Sequence, residues 1–275
     1  MSFQRASVIV STYNRPDALE RVLLDLDRQT VEGFEVVVAD DGSSDETRRT
    51  IDEVRGQVQY PLRHTWQEDH GFRAARARNL AVGKASGDYL IFLDGDCLPR
   101  PDFLEGHRWL AERGRWVRGN RVNLTEEFTE RVLSEELPVA DWPLWRWVLA
   151  RLRGEAVRTT PLLRLRTQAL RKSNPRKWRG ARSCNFGCWR DDFMRVDGYD
   201  DAYTGWGRED SDLAIRLINA GVYRKDGRYV VPVLHLWHPS EDRSAWDEND
   251  ALLNEVLESG AARARLGISQ HLSHV

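Results

Sequence analysis

The sequence predicts an α/β fold, a Rossmann-like and mostly parallel sheet flanked by helices and interrupted by a basic, Trp-rich helical insertion. Three observations predict it. Over the first hundred residues, short apolar runs alternate with amphipathic stretches, the pattern of βα units. Polar clusters follow four of the apolar runs, at the strand ends where open parallel sheets bind their ligands. A chain of 275 residues, 41% of them hydrophobic, also forms one sizeable core at the upper edge of a single domain.

The elements follow in order. Ser7–Val10 reads as a buried strand, and residues 17–28 carry Leu19, Val22, Leu23 and Leu26 at helical spacing. Phe34–Ala39 is the second strand, and residues 47–54 form a helix that Ser44 or Asp45 can cap. A weaker strand over 58–64 leads through a loop to Gly71, then a helix over 73–83. Tyr89–Leu93 is a strongly apolar strand that stops at Asp94-Gly95-Asp96. Beyond Asn120 a helix over 125–133 runs into the insertion. Order returns with a strand over 183–189, a loop over 198–207, a helix over 209–220 with Gly221 after it, and a last strand over 229–234. A closing helix is expected over 244–257, and a mobile tail after Gly260.

Charge is segregated. Forty-one Lys and Arg against forty-three Asp and Glu give a net charge of −2, which does not support a nucleic-acid binder. Residues 139–182, however, hold twelve Lys or Arg against Asp141 and Glu155, a local charge of +10 that leaves −12 elsewhere. With Trp142, Trp145, Trp147 and Trp178 interleaved, this segment is expected to meet an anionic membrane surface or an anionic acceptor, or to form a solvated lid. Cys97, Cys184 and Cys188 are too few for a disulfide framework and read as buried thiols in a reducing compartment. No basic-then-apolar leader and no run of eighteen apolar residues is present, so a cytoplasmic protein is expected, peripheral on the inner face of the membrane if the insertion binds lipid.

The chemistry concentrates at two places. Asp94 and Asp96 bracket a glycine at a strand end, hard oxygen ligands suited to Mg²⁺ or Mn²⁺ bridging to a diphosphate. Glu209 and Asp210 open a helix, where the dipole favours their ionised form.

Four segments in this order, Ser7 to Arg15, Val38 to Asp45, Ala77-Arg78-Asn79 and Phe92 to Asp96, resemble the family-2 glycosyltransferases of the GT-A fold. Gly205-Trp206-Gly207-Arg208-Glu209-Asp210 resembles the Gly-Trp-Gly-x-Glu-Asp motif of β-1,4-galactosyltransferases and bacterial chondroitin polymerases, with Arg208 in place of the usual glycine. The resemblance covers about residues 6–124 and 183–239, and not the insertion. It implies a metal-dependent inverting transfer of a hexose or N-acetylhexosamine from a UDP-sugar to a glycan or lipid-linked glycan, with a β-linkage. Thr12, Tyr13, Arg15 and Asp40 would line the nucleoside pocket, with Asp41 the less certain partner, and Arg73 or Arg78 would reach the base or diphosphate. Asp96 would bind the metal directly, and Asp94 the ribose or the metal through water. His235 or His238 would complete the metal site, His238 being favoured. Asp210 would be the general base, Glu209 would hold an acceptor hydroxyl, and Trp206 would stack on the sugar. The implied parts are a nucleotide-sugar-binding half (1–124), the insertion (125–182), an acceptor and catalytic half of the same domain (183–243), and a C-terminal helix and tail (244–275). A sugar nucleotidylyltransferase is the competing enzyme class, but it wants a glycine-rich phosphate loop after the first strand, which Ser11 to Arg15 lacks. A nucleotide-sugar-binding subunit without turnover is the competing non-enzyme, opposed by the retained acids.

Overall fold

A computed structural model describes residues 3–169, 171–240 and 242–272. Strands β1 (Ala6–Thr12), β2 (Phe34–Asp40), β3 (Leu62–Trp66) and β4 (Tyr89–Asp94) pair in parallel, with helices α1 (Pro16–Asp27), α2 (Asp45–Arg55) and α3 (Ala74–Lys84) in the crossovers. Pro16 sits in the first turn of α1, where its missing N–H is no loss. Alternation along the strands sorts the core. Val8, Val10, Val36, Val38, Ile91 and Leu93 face α1 and α2, whereas Ile9, Val37 and Phe92 face α3. Both faces are covered, which is why these strands read as unbroken apolar runs.

After β4 the chain builds β5 (Cys97–Pro99), α4 (Phe103–Leu110), β6 (Arg115–Arg118), β7 (Asn120–Leu124), α5 (Glu126–Ser134), α6 (Leu144–Leu152) and β8 (Ala156–Val157). It returns with β9 (Asn185–Trp189), α7 (Arg190–Arg195), α8 (Glu209–Asn219), β10 (Tyr223–Asp226), β11 (Pro232–His235), α9 (Trp246–Ser259) and α10 (Ser269–Leu272). The main sheet has the order β10-β6-β9-β4-β1-β2-β3, with β9 antiparallel to both neighbours. A second sheet has the order β5-β11-β7-β8. Because β9 lies between β4 and β6, the segments before and after the insertion share one sheet.

Three expectations need correction. The strand placed over 229–234 is Pro232–His235, since Tyr229 is in a left-handed turn at φ 66°, and Tyr223–Asp226 is a further strand. The chain after Gly260 is not a free tail up to Leu272: Ile268 is buried, its N–H donates to the Asp197 carbonyl (2.9 Å), and Ser269 Oγ donates to the Asp197 carboxylate (2.9 Å). The insertion (125–182) is helical only in its first half: it holds α5 and the nine-residue α6 and then mostly irregular chain, part of which is pinned by ion pairs to the main domain.

Candidate active site

The carboxyl ends of β1, β2 and β4 meet at one rim. Gly95 donates its N–H to the Ser11 carbonyl (2.7 Å), and a Cβ there would lie 3.0 Å from that oxygen. The glycine between the two acids therefore lets the turn close against β1. Ser11 Oγ donates to Asp94 Oδ1 (3.0 Å), which also accepts from Arg78 Nη2 (3.3 Å).

Arg78 is the centre of the site. It projects from α3, is buried, and its Nη1 donates to Glu209 Oε1 (3.2 Å) while lying 3.9 Å from Asp210 Oδ1. The acids at the end of β4 and those at the start of α8 thus form one cluster around a single guanidinium. Burial opposes the Arg78 charge but is outweighed by Tyr199, Asp210, Asp94 and Glu209, which hold its pKa above the ordinary value. Burial, then the Asp210 charge, pushes Glu209 up to about 7, against the pull of Arg78. Asp210 is also raised by burial, with Arg78 and Ser183 opposing.

Several contacts fix the start of α8. Asp212 and Arg216 form a fully buried pair, and Arg216 Nη1 donates to the carbonyls of Val196 (2.7 Å) and Gly198 (2.8 Å). Asn79 donates to Tyr199 O (2.8 Å) and accepts from Tyr199 N (2.9 Å), bracing the loop that leads into the helix. Ser183 Oγ donates a short hydrogen bond to Asp210 and makes another with the Tyr199 hydroxyl. Ser183 and Tyr199 were not singled out in the sequence. Ser183 lies 27 positions from Asp210, and no local spacing links them.

Asp96, His235 and His238 bring one ligand atom each to within 4.8 Å of one another. His235 Nε2 is 3.6 Å and His238 Nε2 3.4 Å from Asp96 Oδ2, so both rings converge on one carboxylate oxygen at distances longer than a good hydrogen bond. His238 Nδ1 lies 2.7 Å from the Pro239 carbonyl oxygen, an acceptor only, which puts the neutral ring's proton on Nδ1 and turns the Nε2 lone pair toward Asp96. Burial, then Arg121 and His238, lowers the His235 pKa to about 3 and keeps its imidazole neutral. Burial and the Asp94 charge push Asp96 up to about 6, the direction a bound cation reverses. One carboxylate and two imidazoles make a mixed oxygen and nitrogen donor set that a first-row divalent ion can take. Cys97, Cys184 and Cys188 are free and buried, and Cys97 and Cys184 pack beside Asp94.

The remaining expected residues divide. Thr12 is buried at the rim with no hydrogen-bond partner for Oγ1 among the described residues, and Tyr13 is exposed beside it, donating to Asp69 (2.9 Å). Asp41 Oδ2 accepts from Arg73 N (2.7 Å). Asp40 turns inward: Oδ1 accepts from Ser43 N (2.8 Å) and Oδ2 lies 2.9 Å from His64 Nε2, so its carboxylate braces the turn after β2. Arg15 is drawn to Asp17 (3.1 Å) at the start of α1. Trp206 stacks on Trp246 (5.6 Å between ring centres). Arg208 adopts φ 78° before α8 and reaches Asp250 (2.5 Å) and the Trp246 ring (4.2 Å), tying α9 to the motif.

Comparison with known proteins gives the decisive observation: the profile of Glycosyl transferase family 2 matches residues 7–193. The chain belongs to glycosyl transferase family 2. A second profile, described as the N-terminal domain of galactosyltransferase, matches residues 165–229. Validoxylamine A glucosyltransferase of Streptomyces hygroscopicus subsp. jinggangensis is 32% identical over 234 residues, 78% of this chain and 52% of that protein. Chondroitin synthase of Escherichia coli is 24% identical over 249 residues, 79% of this chain and 32% of that protein. The chain thus spans about half or less of these two relatives. Among solved structures, S. aureus TarS in complex with UDP matches with TM-score 0.64 at 16% identity, covering 97% of this chain and 68% of that one. The Pyrobaculum calidifontis mannosyltransferase in complex with GDP-Man and Mn²⁺ matches with TM-score 0.59 at 20% identity, covering 94% and 64%. These neighbours establish the GT-A fold.

Proposed function

We propose that the protein is a divalent-metal-dependent, inverting glycosyltransferase. It moves a hexose or N-acetylhexosamine from a UDP-sugar to a hydroxyl of a glycan or lipid-linked glycan, such as a bacterial surface polysaccharide or lipopolysaccharide core, and forms a β-linkage. The observation that carries this reading is the single cluster in which Arg78 joins Asp94 to Glu209 and Asp210, beside the Asp96, His235 and His238 triad. Family membership and UDP-bound and Mn²⁺-bound neighbours of the same fold support it.

The rim of Thr12, Tyr13, Asp41 and Arg73 takes the nucleoside, and Asp94 the ribose. A divalent cation held by Asp96, His238 and His235 would stabilise negative charge on the departing diphosphate. Glu209 orients the acceptor hydroxyl. Asp210, its charge supported by Arg78 and Ser183, takes the hydroxyl proton as that oxygen attacks the anomeric carbon. The bond to the diphosphate breaks on the opposite face, so the configuration inverts. Trp206, already held by Trp246, offers its remaining surface to the sugar. The test is a donor screen with and without Mn²⁺, with the anomeric configuration of the product read by NMR. UDP-sugar transfer that chelation abolishes and that gives a β-product supports the reading. Retention of configuration, or turnover indifferent to chelation, contradicts it.

A further inference from the structure

We propose that α6 is a docking surface for an anionic lipid bilayer. Trp145, Val148, Leu149 and Leu152 recur at i, i+3, i+4 and i+7, the stripe a helix ordinarily turns to its core. Here Trp147 and Ala150 fill the core side, and the stripe faces outward, 60%, 50%, 41% and 77% exposed. With Leu144 it makes a contiguous apolar face, and singly scattered surface residues do not account for it.

The charges flank that face. At 3.6 residues per turn the exposed apolar side chains span roughly 140° of the helix. Arg146 and Arg153 border one side of that arc and Arg151 the other. Arg151, Arg153 and Arg158 form no ion pair with a carboxylate among the described residues, and Arg146 lies over the Trp142 and Trp145 rings (5.5 Å to each). Four of the other insertion cations are used by the fold itself. Arg164 pairs with Asp102 (2.7 Å), Arg166 with Glu105 (2.7 Å) and Lys172 with Glu112 (2.6 Å), while Arg171 donates to the Asp226 and Arg228 carbonyls. The basic excess of residues 139–182 therefore includes an internal part and a part around α6 that is open to an external anion.

An apolar face between basic flanks is complementary to anionic headgroups above acyl chains. Tryptophan suits the boundary between them, and arginine stems can lie along it while their heads reach phosphate. No helix among the described residues is long and apolar enough to cross a membrane, so the contact is with the surface. The placement is also functional. α6 packs beside β8, at one edge of the small sheet whose β11 ends in His235. Docking would thus hold the small sheet, and with it the end of β11, at a fixed height over the bilayer. Only this last step rests on the proposed transfer to a lipid-linked acceptor.

The experiment is flotation of the full chain with vesicles of phosphatidylcholine alone and of phosphatidylcholine with phosphatidylglycerol, alongside transfer to a soluble acceptor. The wild type is expected to float with anionic vesicles only. The exposed-face variant Trp145→Ser/Leu149→Ser/Leu152→Ser and the flank variant Arg146→Gln/Arg151→Gln/Arg153→Gln should each lose binding by about tenfold or more, while soluble-acceptor rates stay near wild type. Arg164→Gln/Arg166→Gln should float as the wild type does. Wild type that stays with the lipid-free fraction, an exposed-face variant that still floats, or a concentration-dependent dimer dispersed by that variant would each overturn the proposal. Flotation without transfer would count against the enzymatic reading alone.

Discussion

Replacing Arg78 by Met keeps the apolar stem and removes the one cation that joins three acids. In the wild type its guanidinium lies 3.3 Å from Asp94, 3.2 Å from Glu209 and 3.9 Å from Asp210, with Arg78 and Glu209 almost wholly out of water and Asp94 partly in it. Breaking a buried pair by deleting one partner costs about 3–5 kcal/mol, because the remaining charge stays buried and uncompensated. The solvated side of Asp94 places this change at the lower end, about 3 kcal/mol, or roughly 6–9 °C in melting temperature. The sign of the pH dependence follows from the raised acids. Without Arg78, the carboxyls of Glu209 and Asp210 rise further above their unfolded values. Such a group supports the fold while protonated, and that support is lost as pH rises through its folded pKa. The defect should therefore be small near about pH 5.5 and largest near about pH 8.5 in denaturant titrations monitored by circular dichroism. A variant as stable as the wild type at the higher pH, or one whose defect shrinks as pH rises, would refute the argument that Arg78 holds the acids together.

Other consequences are equally accessible. Ser183→Ala removes a hydrogen bond that favours the ionised Asp210, so the acid limb of the kcat/KM profile should move to higher pH; an unmoved or lowered limb contradicts the positioning role. In the wild type that limb should already lie above the ordinary carboxylate range, because burial raises both Glu209 and Asp210. Ile268→Ala should cost about 2–4 kcal/mol in chemical denaturation, since the side chain is buried against the main domain; a cost under about 0.5 kcal/mol would mean that the chain after Gly260 is undocked in solution.

Strands β1, β2 and β4 were legible because each is a continuous apolar run, and α1 and α2 because each carries a 3.6 period; β3, with Arg63, His64 and Thr65, is not such a run, and it lies at Leu62–Trp66 rather than over 58–64. β6, β7 and β10 were not legible, because their four or five residues include Arg115, Arg118, Arg121, Arg224 and Lys225, and β5 was not, because it is only three residues long and ends in Pro99. Arg224, for example, is buried at its strand by pairing with Asp226 (2.7 Å), which no local pattern announces. The candidate site was readable wherever a role sits in a short motif: Asp94-Gly95-Asp96, Glu209-Asp210, and the pair His235 and His238. It was unreadable where tertiary structure assigns the role. Arg78 is one basic residue among several on α3 until the fold sets it between two acid clusters, and Asp40 looks like a ligand until His64 closes on it. The insertion shows the same limit, since composition counted twelve cations but only the fold separates those paired internally from those around α6.

The central claim is that Asp210 removes the acceptor proton within the cluster organised by Arg78. It is tested most directly by single-turnover transfer with Asp210→Asn, with UDP-sugar affinity measured separately by calorimetry. A general base contributes about 10²–10⁴-fold, so the rate constant should fall by that factor while donor affinity stays near wild type. Transfer at the wild-type rate with donor binding intact would contradict the account.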